Sequence, residues 1–98
     1  MDYIAQLQDA IRRTHGCESV HVSTVPIIET FQGKTVWSGD VEIFNLRGHP
    51  KAKRCYAWAY QGDDSKEHYT AVLEVPPIQS AQDAVRAAIV SQFKNEKT

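Results

Sequence analysis

Long apolar runs and an excess of either charge are both absent from this 98-residue sequence. No apolar run approaches the roughly 18 residues of a membrane-spanning helix, and the first residues lack the basic-then-apolar order of a signal peptide. The formal net charge of −1 argues against an overall attraction to nucleic acid or to an anionic membrane. We therefore predict a cytoplasmic protein that does not associate with membranes, in which any attraction to nucleic acid is local.

Cysteine is scarce too, because the chain contains two, Cys17 and Cys55. Without an export signal, we expect free thiols in a reducing compartment rather than a disulfide. Cys17 lies close in sequence to His15 and His21, and imidazole and thiolate groups are zinc ligands. However, no second Cys-x-x-Cys or His-x3-His element completes a set of four ligands, so we predict no metal site.

Patterns typical of catalysis are missing as well. The sequence has no phosphate-binding loop, no dinucleotide-binding glycine pattern and no evident carboxylate pair. Cys55 with His49 or His68 would supply a nucleophile and a base. Cys55, however, lies in the middle of a predicted strand, on the face that we expect to be buried, where a thiol acts as a small apolar side chain. We therefore predict no catalytic residue, no cofactor and no enzymatic activity.

Two amphipathic helices are predicted, one at each end of the chain. Asp2 can cap a helix over about residues 3–15, and Gly16 can end it. Ser80 begins a variant of the capping box near the C-terminus. The apolar stripe of this second helix is continuous and consists of Ala81, Ala84, Val85, Ala88, Ile89 and Phe93.

Between the helices, apolar residues alternate with a period of two, which predicts four strands. The strands are expected at about residues 20–31, 35–46, 53–61 and 68–75. The first has a change of phase at 24–26, where Pro26 cannot donate to a ladder, so we predict an edge strand with a bulge or bend there. The connection Gln32-Gly33-Lys34 predicts a hairpin with a three-residue loop.

These elements predict an α+β fold with the order α-β-β-β-β-α, in one domain spanning residues 1–98. The simplest arrangement is a single antiparallel sheet of three to four strands with both helices packed on one face. The third strand has small residues on one face, Cys55, Ala57 and Ala59. Its other face has three aromatic residues, Tyr56, Trp58 and Tyr60.

An Ala-rich helix can approach small residues closely, so we expect the second helix to cover the small face. The aromatic face would then be open, with Val72 of the fourth strand beside Tyr56, Trp58 and Tyr60. Because aromatic residues are enriched at the centres of protein interfaces, these four residues are the predicted interface. The alternative places the helices on opposite faces of the sheet and the aromatic residues in the core.

The turn Gly48-His-Pro-Lys-Ala-Lys-Arg54 followed by an alternating strand, a second hairpin strand and an Ala-rich helix resembles the second part of a double-stranded-RNA-binding domain. The resemblance covers about residues 36–93 and implies a similar α-β-β-β-α shape. In that family, the turn often has a Gly-Pro-x-His-like segment that reaches into a minor groove, and lysines at the start of the last helix bind phosphates. In this chain the order is Gly48-His49-Pro50, the segment 77–83 has no cation, and an additional strand precedes the resemblance.

The same turn is the candidate for contacts with phosphate groups, through Arg47, His49, Lys51, Lys53 and Arg54. A solvated hairpin loop is the simpler interpretation, because the next loop contains carboxylates. The sequence thus predicts a small non-catalytic interaction domain that self-associates, as a homodimer, or binds a protein partner through the aromatic face. The alternative function is weak binding of RNA or single-stranded nucleic acid, with bases stacked on the aromatic residues and phosphates held by the turn.

Overall fold

The computed structural model describes residues 2–61 and 66–96, with the backbone alone for 92–96. Its four strands form one antiparallel sheet in the order β1-β2-β3-β4. The α+β class and the order of elements are therefore confirmed. The elements are α1 (Tyr3–His15), β1 (Glu18–Phe31), β2 (Lys34–Arg47), β3 (Arg54–Gln61), β4 (Glu67–Leu73) and α2 (Ala81–Glu96).

Helix α1 begins and ends at the residues that the sequence predicts. The Asp2 carboxylate accepts a hydrogen bond from the backbone N–H of Ile4 at 3.3 Å. Gly16 has a φ of +70°, and its N–H donates to the carbonyl of Arg12 at 2.8 Å. A glycine is favoured at this C-terminal position because a left-handed residue without a Cβ is unstrained.

The β1–β2 hairpin is long and irregular in two places. Its loop has two residues, Gln32 and Gly33, rather than the predicted three, and both have a positive φ, as a type I′ turn requires. The register shifts between His21 and Ser23 and again near the turn. The bulge therefore lies at Val22, two to four residues before the predicted bend, and Pro26 is in the edge strand as expected.

The two helices lie on opposite faces of the sheet, so the predicted placement of both helices on one face is corrected. The core under α1 consists of Leu7, Ile11, Cys17, Phe44, Cys55 and Ala57. The core under α2 consists of Ile27, Val41, Tyr56, Trp58, Ala81, Ala84 and Val85. Successive residues of β3 belong alternately to the two cores, because side chains of a strand point alternately to its two faces.

Complementary volume explains this arrangement. On the α1 side, large side chains of the helix such as Leu7 and Ile11 fill the space above the small residues Cys55 and Ala57. On the α2 side, small helix residues pack against the large ring of Trp58. A core reaches native packing density when large residues face small ones, whereas the sequence-based expectation placed a small helix face on a small sheet face.

Side chains of both helices satisfy carbonyl groups of the two edge strands. The donors are Gln8 to Ser19 on β1 at 3.0 Å, Gln82 to Ile28 on β1 at 3.3 Å, and His15 to Ala71 on β4 at 3.0 Å. Unpaired edge groups invite pairing with other chains. These contacts therefore reduce the tendency of either outer edge to accept another strand.

Helix α2 has the predicted N-terminal cap. The N–H of Asp83 donates to the Ser80 hydroxyl at 3.1 Å, and the Asp83 carboxylate accepts from the N–H of Gln79 at 3.1 Å. The helix continues to Glu96, beyond the predicted stripe. The side chain of Phe93 and residues 62–65 of the predicted polar loop, which include Asp63 and Asp64, lie outside the described residues.

Candidate functional site

The aromatic face of β3 is covered by α2, which corrects the expectation that it is open. Trp58 is 3% exposed and Tyr56 is also buried, both in the core under α2. Tyr60, at the end of the strand, is 46% exposed, and Val72 of β4 is partly buried against the same core. Of the four predicted interface residues, Tyr60 and Val72 thus remain accessible to a partner.

Tyr56 is held in the core by a polar contact as well as by packing. Its hydroxyl donates a hydrogen bond to the Glu74 carboxylate. Burial, together with this bond and the negative charge of Glu74, raises the pKa of Tyr56 to about 12. The hydroxyl therefore stays protonated and donates to Glu74. The buried phenol thus has the hydrogen-bond partner that such groups usually find.

The sheet divides between β2 and β3. These strands pair only where Glu42–Asn45 face Arg54–Ala57. Beyond this point the hairpin continues as a two-stranded extension, residues 25–41, which we call the arm. β3 continues separately and pairs with β4 as far as Gln61.

Aromatic side chains close both sides of this division. On the α2 side, the rings of Trp37 and Trp58 meet edge to face with centroids 5.6 Å apart. The Trp37 ring folds back over Gly39, where a Cβ would lie 3.2 Å from its Cη2 atom. On the α1 side, the hydroxyl of Tyr3 accepts a hydrogen bond of 3.1 Å from the N–H of Ala59, a group that β2 does not pair.

A groove runs beside α2, over the part of the sheet that the helix leaves open. The backbone of α2 lies closest to β1 and β2, so the helix is offset toward these strands, although its small side chains reach the Trp58 ring on β3. The space between the helix and these strands has a volume of about 650 Å³, within the range of ligand-binding clefts. We call it the groove, and its apolar lining includes Trp37, Trp58, Tyr60, Val72, Ala88 and Ile89.

The basic turn between β2 and β3 has a fixed shape. The Nδ1 atom of His49 accepts hydrogen bonds from the N–H groups of Lys51 at 3.1 Å and Ala52 at 2.9 Å. Arg47, Lys51 and Lys53 are exposed and make no ion pair within the described part of the chain. The turn therefore presents three cations, while His49 supports the backbone.

Arg54, the fifth predicted phosphate contact, lies apart from the exposed cations. It is partly buried, and its guanidinium is next to the Tyr56 hydroxyl, where it opposes the upward shift of the Tyr56 pKa. The charge of Arg54 therefore acts on the hydrogen bond between Tyr56 and Glu74, at the end of the core under α2. The structure places Arg54 beside Tyr56 and leaves Arg47, Lys51 and Lys53 to the solvent.

The residues considered for metal binding or nucleophilic chemistry are engaged in other contacts. His15 donates to β4, and His21 bonds to Glu42 at 2.9 Å. Cys17 and Cys55 are buried free thiols. Burial raises the pKa of Cys55 to about 12, which keeps it a thiol and not a thiolate nucleophile. No group of three or more metal-ligating side chains occurs among the described residues.

A buried polar cluster around Glu42 was not predicted from the sequence. The Glu42 carboxylate accepts hydrogen bonds from His21 and from the Thr24 hydroxyl. The bulge at Val22 changes the phase of β1, which brings both donors to the same face. In the sequence, Glu42 is simply a Glu within an alternating strand. This pattern does not distinguish a buried Glu from an exposed one.

Comparison of the chain with models of known protein families, with curated proteins and with solved structures finds no match. Within residues 2–61 and 66–96, no helix combines the length and the apolar character of a membrane span.

Proposed function

We propose that this protein is a non-catalytic interaction domain that self-associates through the groove. The observation that supports this most directly is the partly open apolar lining beside α2, where Tyr60 is 46% exposed and stacks on His68 with centroids 5.4 Å apart. Apolar surface that is contiguous and bordered by polar residues is a frequent feature of interaction sites. Association would remove that surface from the solvent.

The lining of the groove suits binding better than catalysis. Its polar members, Gln61, Thr70 and Ser91, are uncharged side chains among aromatic and aliphatic ones. A hydroxyl becomes a nucleophile when an adjacent base takes its proton, and no charged residue lines the groove within the described part of the chain. A different protein, if it were the partner, would bind to the same groove. The buried free thiols suit a reducing compartment such as the cytoplasm.

The test is the molar mass of the purified protein, measured by sedimentation velocity over a range of concentrations. We expect a reversible dimer that Tyr60→Lys disperses, because the change removes an aromatic contact and places a charge in the groove. Val20→Lys is the matched control, since Val20 is 44% exposed, also on a strand, but does not line the groove. Equal effects of the two variants, or a wild-type monomer throughout, would contradict the proposal.

Weak nucleic-acid binding is a second candidate, favoured by the exposed cations Arg47, Lys51 and Lys53 in a turn of fixed shape. The resemblance to double-stranded-RNA-binding domains supports this candidate through the same turn. Fluorescence anisotropy with a short single strand should show weak binding, and three phosphate contacts predict a log–log salt slope of roughly −2. Lys51→Glu with Lys53→Glu should abolish it, whereas Lys34→Glu, at the far end of the arm, should not.

A further inference from the structure

The ring of His49 holds the basic turn together through one nitrogen atom. Its Nδ1 accepts hydrogen bonds from two backbone N–H groups, that of Lys51 at 3.1 Å and that of Ala52 at 2.9 Å. A ring nitrogen that accepts a hydrogen bond carries no proton, and the proton of a neutral imidazole is then on the other nitrogen. The shape of the turn therefore requires the tautomer of His49 that is protonated at Nε2.

A second proton on this ring is incompatible with both hydrogen bonds. An imidazole gains its positive charge between about pH 8 and pH 5, and in His49 the added proton can only go to Nδ1. The protonated Nδ1 would be a donor that faces two donors. His49 therefore stabilises the turn while Nδ1 is unprotonated, and this stabilisation is lost as the pH falls and the ring becomes charged.

The burial of Ala52 converts the loss of these bonds into a change of conformation. The N–H of Lys51 is exposed and can bond to water instead. Ala52, in contrast, is 3% exposed. A buried N–H without an acceptor is costly. When His49 is protonated, the segment therefore lowers its free energy by moving Ala52 toward the solvent.

A charged His49 would have cations and a second histidine as neighbours. From α1, the ring of His15 meets the His49 ring edge to face, with centroids 6.4 Å apart. The turn itself contributes the exposed cations Arg47, Lys51 and Lys53. Within the described residues, no carboxylate lies at ion-pair distance from His49. Once protonated, His49 is therefore not held in place by an ion pair.

We infer that His49 is a pH-sensitive switch, which holds the basic turn in its fixed shape at neutral pH and releases it in acid. Lys51 and Lys53 belong to the released segment, so the arrangement of these cations depends on the protonation of one ring. A partner that recognises the ordered turn would bind at neutral pH and dissociate in acid. The switch concerns the turn and not the groove, so it operates whether or not the protein self-associates.

NMR spectroscopy of the full-length, ¹⁵N-labelled protein tests the switch. Between about pH 8 and pH 5, we expect the amide signals of Lys51 and Ala52 to shift with the same midpoint as the His49 ring. The amide hydrogen exchange of Ala52, corrected for the intrinsic effect of pH, should become faster by on the order of tenfold in acid. The ¹⁵N shifts of the ring at neutral pH should identify Nδ1 as the unprotonated nitrogen.

Replacement of the acceptor separates the switch from other effects of pH. The side-chain oxygen of Asn accepts hydrogen bonds from N–H groups two or three residues later in turns and helix caps, and it does not titrate. His49→Asn should therefore keep the ordered turn and lose its pH dependence, whereas His49→Ala should resemble the acid form already at neutral pH. His15→Gln is the matched control, because Gln retains a donor for the Ala71 carbonyl and leaves the switch intact.

Three outcomes would overturn the inference. One is a proton on Nδ1 at neutral pH, and another is a pair of turn amides that do not follow the titration of the His49 ring. Both are measured on the wild type, so they decide the question even if a variant fails to fold. The third is a folded His49→Ala whose Lys51 and Ala52 amides match those of the wild type at neutral pH, since the turn would then not depend on the Nδ1 bonds.

Discussion

Replacement of Trp58 by Lys is the most direct test of the two-sided core. Trp58 is 3% exposed, and its ring contacts Trp37 and the core under α2. If the aromatic face were open, this substitution would leave the fold intact and affect only association. With α2 above it, the substitution removes a large apolar side chain and places an ammonium group in the core.

The magnitude follows from two contributions. Truncation of a buried aromatic side chain to Ala costs about 3–5 kcal/mol, and an unpaired buried charge adds several kcal/mol more. The total free energy of unfolding of a small domain is about 5–15 kcal/mol. We therefore expect Trp58→Lys to be largely unfolded at room temperature. Trp58→Ala should remain folded with a Tm lower by about 12–40 °C, since each kcal/mol shifts the Tm of such a domain by about 4–8 °C.

The assay is thermal denaturation followed by far-UV circular dichroism, with the molar mass measured in parallel. Tyr60→Lys is the control because Tyr60 is on the same face of β3 but is 46% exposed, so a Lys at this position can reach the solvent. A cooperative transition of Trp58→Lys within a few degrees of the wild type would refute the packing of α2 on this ring.

Two further predictions concern the surroundings of this core. Gly39→Ala should destabilise the protein by about 1–3 kcal/mol, because the new Cβ would lie 3.2 Å from the Trp37 ring. Urea denaturation followed by tryptophan fluorescence should show this loss, with Ser38→Ala, at an exposed position, as the control. The pKa of Tyr56 is raised from 10.0 to about 12 in the folded state. Its contribution to the free energy of unfolding is therefore fully present below pH 10 and is lost as the pH rises to 12. The urea midpoint of Tyr56→Phe should therefore decrease less than that of the wild type between pH 10 and 12, and parallel curves would contradict this.

The local features of the fold are predictable from short segments. Asp2, Gly16 and Ser80 act through backbone groups a few residues away, and the structure shows the predicted bonds or dihedral angles at all three. Alternation predicts strands in the same way, because it depends on neighbours in sequence. The loop of the first hairpin has two residues rather than the predicted three because Gln32, like Gly33, has a positive φ. A residue other than glycine rarely adopts this conformation, so the sequence does not indicate it.

The placement of the helices could have been inferred from β3 itself. A strand that is apolar on both faces is typical of a sheet covered on both sides, and β3 has Cys55 and Ala57 on one face and Tyr56 and Trp58 on the other. The prediction failed because it matched residue sizes between single elements. Whether Trp58 is buried depends on the volume left between α2 and the sheet, which no short segment specifies.

The candidate site was predictable only in part, for a similar reason. Tyr60 and Val72 belong to the predicted interface and line the groove. Trp37 was not predicted, because its contact with Trp58 requires the division of the sheet, and the division depends on where pairing between β2 and β3 ends. The cations of the basic turn were evident in the sequence, whereas the support that His49 gives to the turn depends on its ring orientation.

The position of α2 connects the stability of the fold with the open groove. The Glu29 carboxylate on the arm accepts a hydrogen bond from Gln82 and pairs with Arg86 at 3.0 Å, and these two contacts lower the pKa of Glu29. Both partners are on α2, so they hold the helix over β1 and β2. A helix centred over β3 would bury Tyr60 and fill the groove. With α2 in this position, no side chain of the described residues covers the apolar surface beside β4, although the core under α2 remains closed around Trp58.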